Sequence, residues 1–210
     1  MMKSREKIIV TIISVLAVAT LGIAVFFIFF KPNTSIDTVY SQSSYVIDVE
    51  DLSSMAGFAD YVFVGTVLSN AGTHYNNGIA PSEKDDHIFA LPYTDYVVKV
   101  IENIKGSLKT DTELKITKSG GLSEKGDSVY IPENDVLPEE GKIYVFFANA
   151  NVDGGILVSG MNSNLEIADA LVKEGNISYS DSKVYKEAAE AVKNQKTFER
   201  ERFRSVFESE

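Results

Sequence analysis

Residues able to do chemistry are few in this chain. It has no cysteine and no tryptophan, and its two histidines, His74 and His87, both fall in a polar stretch from Asn70 to Pro92. Without cysteine there are no disulfides, no thiolate metal sites and no thiol-linked lipid. A Ser-His-Asp arrangement would have to use one of the two histidines, yet no Gly-x-Ser-x-Gly turn accompanies them. Asp85-Asp86-His87 together with His74 offers carboxylates and imidazoles of the kind that suit zinc or manganese. Adjacent residues rarely converge on one ion, however, and the expectation is a solvated acidic loop with no metal. The acids Asp127, Glu133, Asp135, Glu139 and Glu140 fit no EF-hand spacing, and no carboxylate pair is singled out for glycoside cleavage. Gly120-Gly121 lacks the following helix and lysine of a phosphate cradle. No catalytic residue and no cofactor is assigned. What remains is recognition. Tyr75 supplies an aromatic face, and Asp85, Asp86 and His87 supply polarity suited to a cationic partner; these four are the candidate contact residues of a long loop, Asn70 to Pro92.

The elements that must present such a loop begin with Ile8 to Phe30, an apolar run broken only by Thr11, Ser14, Thr20 and Gly22. A helix of that length spans roughly 35 Å, enough for a hydrocarbon core of about 30 Å. Lys3, Arg5 and Lys7 precede it and Lys31 alone follows closely, which places residues 1–7 in the cytoplasm and the rest outside. Ala17-Val18-Ala19 offers a signal-cleavage triplet, but cleavage there would bisect the apolar run, so an uncleaved anchor is expected. Beyond Lys31 the chain holds sixteen basic and twenty-nine acidic residues, and residues 32–180 carry all of that excess. Such a surface repels phosphate backbones, so nucleic acid is not an expected partner.

The remaining order reads as a stalk (residues 31–46), an extracytoplasmic domain (47–180) and a C-terminal helical segment (181–210). Asp48 is the expected N-cap of a short helix near Val49 to Phe58. Tyr61 to Leu68 reads as a strand buried on both faces, with Gly65 marking a bulge. Tyr93 to Ile104 and Thr112 to Lys118 alternate as an antiparallel hairpin ended by Gly120-Gly121. Ser128 to Ile131, Ile143 to Ala148 and Ile156 to Ser159 read as further strands, and Asp169–Lys173 with Ile177–Tyr179 as a hairpin. After Asp181 the periodicity becomes helical, with a break expected near Asn194-Gln195 before Phe203, Val206 and Phe207.

Three stretches carry a family likeness: ADYVFVGTV at Ala59–Val67, YTDYVVKVIENIKG at Tyr93–Gly106 and LPEEGKIYVFF at Leu137–Phe147, with Gly120-Gly121 between the last two. Over roughly residues 48–160 the chain resembles membrane-tethered extracytoplasmic proteins of Gram-positive bacteria whose domain is similar to the OB-fold barrel of the metalloproteinase-inhibitor and netrin modules. The resemblance implies an OB-like barrel, and with the elements read above the expected fold is mainly β: a small antiparallel OB-like barrel with a short N-terminal helix and a C-terminal helix, behind one transmembrane helix. A β-sandwich is the alternative. The animal inhibitors grip the protease metal through an N-terminal cysteine; this chain has none, so that mechanism is not implied. The expected function is a membrane-anchored, non-catalytic binding or sensing module for an extracytoplasmic protein, peptide or envelope polymer. Alternatives are an extracytoplasmic hydrolase using acidic residues or a loop metal, and an accessory subunit of a membrane complex.

Overall fold

The structure, a computed structural model, describes residues 36–77, 90–168, 171–173 and 176–209. Ile8 to Phe30, with the tail before it and most of the stalk, lies outside the described residues. Among the described residues no helix is long and apolar enough to cross a membrane. The fold is mainly β, with 45% strand against 12% helix.

Two long strands dominate. β2 (Tyr61–Asn77) and β3 (Ala90–Lys105) form an antiparallel pair whose register shifts at four places, one between Val64 and Gly65, where a bulge is expected from the glycine. The first half of β2 also pairs with β7 (Ile143–Ala150). Alternation in both strands explains their near-continuous apolar sequence. Tyr61, Phe63, Tyr144 and Phe146 face one core, while Val62, Val64, Val145 and Phe147 face a second. Helix α1 (Leu52–Phe58) and helix α2 (Lys183–Lys193) cover that second face through Met55, Ala56, Ala188 and Ala191. Burial on both faces is what a strand without polar alternation requires.

From β3 the pairing continues to β4 (Glu113–Ser119), then in parallel to β8 (Ile156–Val158), which pairs with β7; β9 (Asn164–Glu166) occupies the rest of that edge of β7. The pairing thus returns to β2, but only through β8, which meets β4 over three residues and β7 over two. Too few ladder bonds span that side for a continuous wall, so the sheet is not closed as the barrel expected from the sequence. Nor is it purely antiparallel, since β4–β8 is a parallel pair. β10 (Leu171–Lys173) and β11 (Asn176–Ser178) make the expected hairpin.

Four local expectations are corrected. The helix near Val49 starts later: Asp51, not Asp48, caps α1, its Oδ1 accepting from Ser53 N at 3.0 Å, while Asp48 accepts from Glu50 N in the preceding turn. Part of the expected stalk is a strand: β1 (Asp37–Ser41) pairs in parallel with β6 (Ser128–Pro132), whose other edge takes β5 (Gly121–Leu122). The described ends of the expected loop Asn70 to Pro92, residues 70–77 and 90–92, belong to the paired strands β2 and β3, because ladder hydrogen bonds form irrespective of the polar side chains that conceal the alternation. Finally, α2 is capped by Ser182 instead of Asp181, and beyond Asn194 the chain is an irregular tail, not a second helix. Phe203 and Phe207 pack against the first core, and the tail's backbone bonds to Ser107, Lys109 and Gly154, which replaces helical pairing.

Candidate functional site

The residues singled out by sequence divide. Tyr75 sits on the distal arm of β2, half-buried, and its hydroxyl donates to Leu122 O at 3.0 Å, tying the hairpin to β5. Asp85, Asp86 and His87 lie outside the described residues. His74 stacks on Tyr93 at 5.9 Å between ring centroids, and its Nδ1 lies 3.6 Å from Asp95, which also accepts from Lys115 Nζ at 3.0 Å. Among the described residues no group of three metal-ligating side chains converges.

A constellation that sequence reading missed lies under the sheet. β4 buries Leu114, Ile116 and Lys118 in alternation, so the lysine occupies a core position. Its Nζ donates to both carboxylate oxygens of Asp135 at 2.7 Å, to Ser163 Oγ at 2.7 Å and to Gly160 O at 3.3 Å. The side chains of Lys118 and Asp135 are 0% and 2% exposed. Burial pulls the lysine down to about 8 despite the attraction of Asp135, and burial pushes Asp135 above the usual carboxylate range. A serine beside a lysine of lowered pKa is the pairing of a Ser-Lys nucleophile. Here Ser163 is 1% exposed and its hydroxyl donates to Gly160 O, so no substrate reaches it. The trio is a clamp joining β4, the Asp135 loop and the Gly160–Ser163 turn. Its one sequence signal was a lysine in the inward phase of a strand.

Two surface cavities differ in character. The larger, about 550 Å³, is bordered by Lys105, Arg202 and Asp60 where the tail crosses α1. Three of its four cations are committed: Lys105 donates to Ala56 O and Ala59 O, Arg202 to Gly57 O and Asp60, and Lys196 pairs with Asp51, while Arg204 is largely exposed. Arg200 beside them bonds Phe58 O, Asp60 and Asn149. Lys105, Arg200 and Arg202 satisfy the C-terminal carbonyls of α1, which is a structural task.

The second, about 250 Å³, opens where β1, β3, β4 and β6 end. Tyr45, Tyr93 and Tyr130 contribute rings and Ser41, Ser119 and Ser159 hydroxyls. Among the described residues its lining contains no charged side chain, although charged residues make up 24% of the chain. Ser119 Oγ and Ser159 Oγ lie 2.7 Å apart at its edge. Gly120 and Gly160 form part of its wall with φ of +101° and +89°; a Cβ on Gly160 would lie 2.6 Å from the Tyr45 ring. Across Tyr45 and Ser159 a further hollow of about 280 Å³ is lined by Val46, Ile47, Met55 and Phe58 among others. No sequence signal pointed here, because the lining comes from five separated segments. No protein-family model matches this chain, and no curated protein is similar to it.

Proposed function

We propose that the chain is a membrane-anchored extracytoplasmic binding module, without catalysis of its own, whose contact surface is the tyrosine-serine pocket beside the distal end of the β2–β3 pair. The observation that carries this reading is the pocket's composition: tyrosines, serine hydroxyls and, among the described residues, no charged side chain, in a strongly acidic chain. Pockets that combine an apolar body with a few convergent polar groups are the usual form of a recognition site. The Ser163–Lys118 pair is sealed from solvent and gives the hydrolase alternative no support. The resemblance to the OB-fold proteins is retained as part of the proposal. It is supported by the pairing order β2-β3-β4-β8-β7 with a parallel β4–β8 step and a return to β2, the order of a five-stranded, partly open barrel. The apolar run Ile8 to Phe30 supports the anchor.

The test uses the full-length chain immobilised and offered to cell-envelope fractions, beside Leu91→Lys and Tyr45→Ala. Leu91 is 50% exposed on the pocket rim, so its replacement adds a charge with little effect on packing. Retention of an envelope component by the natural chain and its loss in both variants is the expected result. Equal retention by all three would eliminate this pocket as the contact surface.

A further inference from the structure

We infer that the tyrosine-serine pocket takes a neutral saccharide, one hexopyranose ring in the pocket and the next across Tyr45; the inference rests on the binding reading above. Four ligand chemistries compete, and the lining separates them. An ionised group entering a pocket whose described lining offers no counter-charge loses hydration with nothing in that lining to replace it, at a cost of several kcal/mol. A purely hydrocarbon ligand would strip water from the Ser41, Ser119 and Ser159 hydroxyls and leave their unused hydrogen-bonding capacity unmet. A peptide in extended form needs a free strand edge, and on the β3–β4 side of the pocket that edge is taken, since Gly120 N donates to Pro92 O and Tyr93 bridges Gly120; the outer edge of β1 reaches the pocket only through its last residue, Ser41. A neutral polyhydroxylated ring meets every condition. Its C–H faces lie on tyrosine rings, and its hydroxyls exchange donors and acceptors with serines without net charge.

The geometry limits the size. A volume of about 250 Å³ lies just below the range of roughly 300–1,000 Å³ usual for drug-sized ligands, and so suits one ring. The adjoining hollow of about 280 Å³ shares Tyr45 and Ser159 with it, which provides a path for a second ring of the same chain. Gly160 lets the Tyr45 ring lie directly against the backbone between them, since any side chain there would run into that ring.

The experiment titrates the full-length chain with four tetramers: β-1,4-linked N-acetylglucosamine and α-1,4-linked glucose, both neutral, fully deacetylated glucosamine, a cation, and galacturonate, an anion. Tyrosine fluorescence reports occupancy, because the chain has no tryptophan to mask it. At least one neutral tetramer is expected to bind about tenfold more tightly than either charged one, and Tyr45→Ala and Leu91→Lys are each expected to weaken it by about tenfold or more, a loss of about 1.4 kcal/mol, with melting temperatures unchanged. Equal or tighter binding of a charged tetramer overturns the inference. If no tetramer binds while the same two variants still lose envelope capture, the saccharide assignment fails and the binding reading survives. If no tetramer binds and capture is also indifferent to both variants, both fail.

Discussion

Replacing Lys118 by methionine isolates the buried clamp. Methionine keeps most of the aliphatic stem but removes the ammonium that donates to Asp135, Ser163 and Gly160. Asp135, 2% exposed, would then keep only backbone donors, Val136 N at 2.8 Å and Gly160 N, for a carboxylate that cannot reach water. Leaving one member of a buried pair uncompensated costs about 3–5 kcal/mol. For a chain of this size that is a fall of roughly 6–20 °C in melting temperature. The pH dependence fixes the cause. Burial already raises Asp135 in the folded protein, and loss of Lys118 raises it further. Above the ordinary carboxylate pKa the unfolded chain then holds fewer protons than the folded one, so the variant loses stability as pH rises through that window and regains it on acidification. Urea unfolding at pH 5 and pH 7 should therefore show the larger deficit at pH 7. Lys118→Met with Asp135→Leu should restore stability to the natural level or above by about 1–4 kcal/mol, since apolar replacement of a buried pair removes its desolvation cost. A single variant that loses less than about 1 kcal/mol, the worth of a surface ion pair, would refute the sealed-clamp argument.

Alkaline titration should destabilise the fold between pH 10 and about 12. Tyr185 is pushed up to about 12 by its hydrogen bond to Glu102, and Tyr61 to about 12 by burial, so the folded chain keeps protons that unfolded phenols release; phenolate absorbance followed alongside circular dichroism checks this, and Glu102→Gln should flatten the Tyr185 contribution. Gly57→Ala should destabilise by about 1–3 kcal/mol in urea unfolding, although alanine gains about 1 kcal/mol in helix propensity, because its Cβ would overlap the Lys196 carbonyl where the tail crosses α1. Protease added to intact cells should remove everything beyond Lys31; a domain protected until the membrane is broken would refute the topology read from the basic residues before Ile8.

The parts of the fold that were legible in sequence are those where side-chain pattern and backbone pairing agree. Tyr61–Leu68 and Ile143–Ala148 are almost continuously apolar because helices lie on one face and the inner core on the other, and the pattern states that directly. The distal arm of β2, Asn70–Asn77, has no buried face to pattern it; its pairing with β3 is carried by the backbone, so composition read as loop. The tail misled for the opposite reason. Phe203, Val206 and Phe207 are spaced like a helix face, but Phe203 and Phe207 pack inward while Val206 is 68% exposed, an arrangement imposed by tertiary contacts with Ser107–Lys109 and Gly154. The pocket was illegible because it belongs to no segment: Tyr45, Tyr93, Gly120, Tyr130 and Ser159 meet only once the sheet is built.

The pocket and the clamp share a backbone, and this separates stability from recognition. Lys118 points into the core while Ser119, the next residue, points to the pocket edge and meets Ser159. Gly160 accepts from Lys118 Nζ on one side and lines the pocket beneath Tyr45 on the other. An ion pair with directed hydrogen bonds holds that glycine in one place, whereas methionine and leucine fill the same volume without direction. The Lys118→Met/Asp135→Leu variant should therefore be as stable as the natural chain and still retain the envelope component less well, by about tenfold, a loss of about 1.4 kcal/mol. Lys142→Met, which removes an exposed bridge to Glu139 and Glu166 outside the pocket, is the control and should change neither property. If the double variant binds as the natural chain does, the clamp serves stability alone and the pocket wall is set by the strand ladders without it.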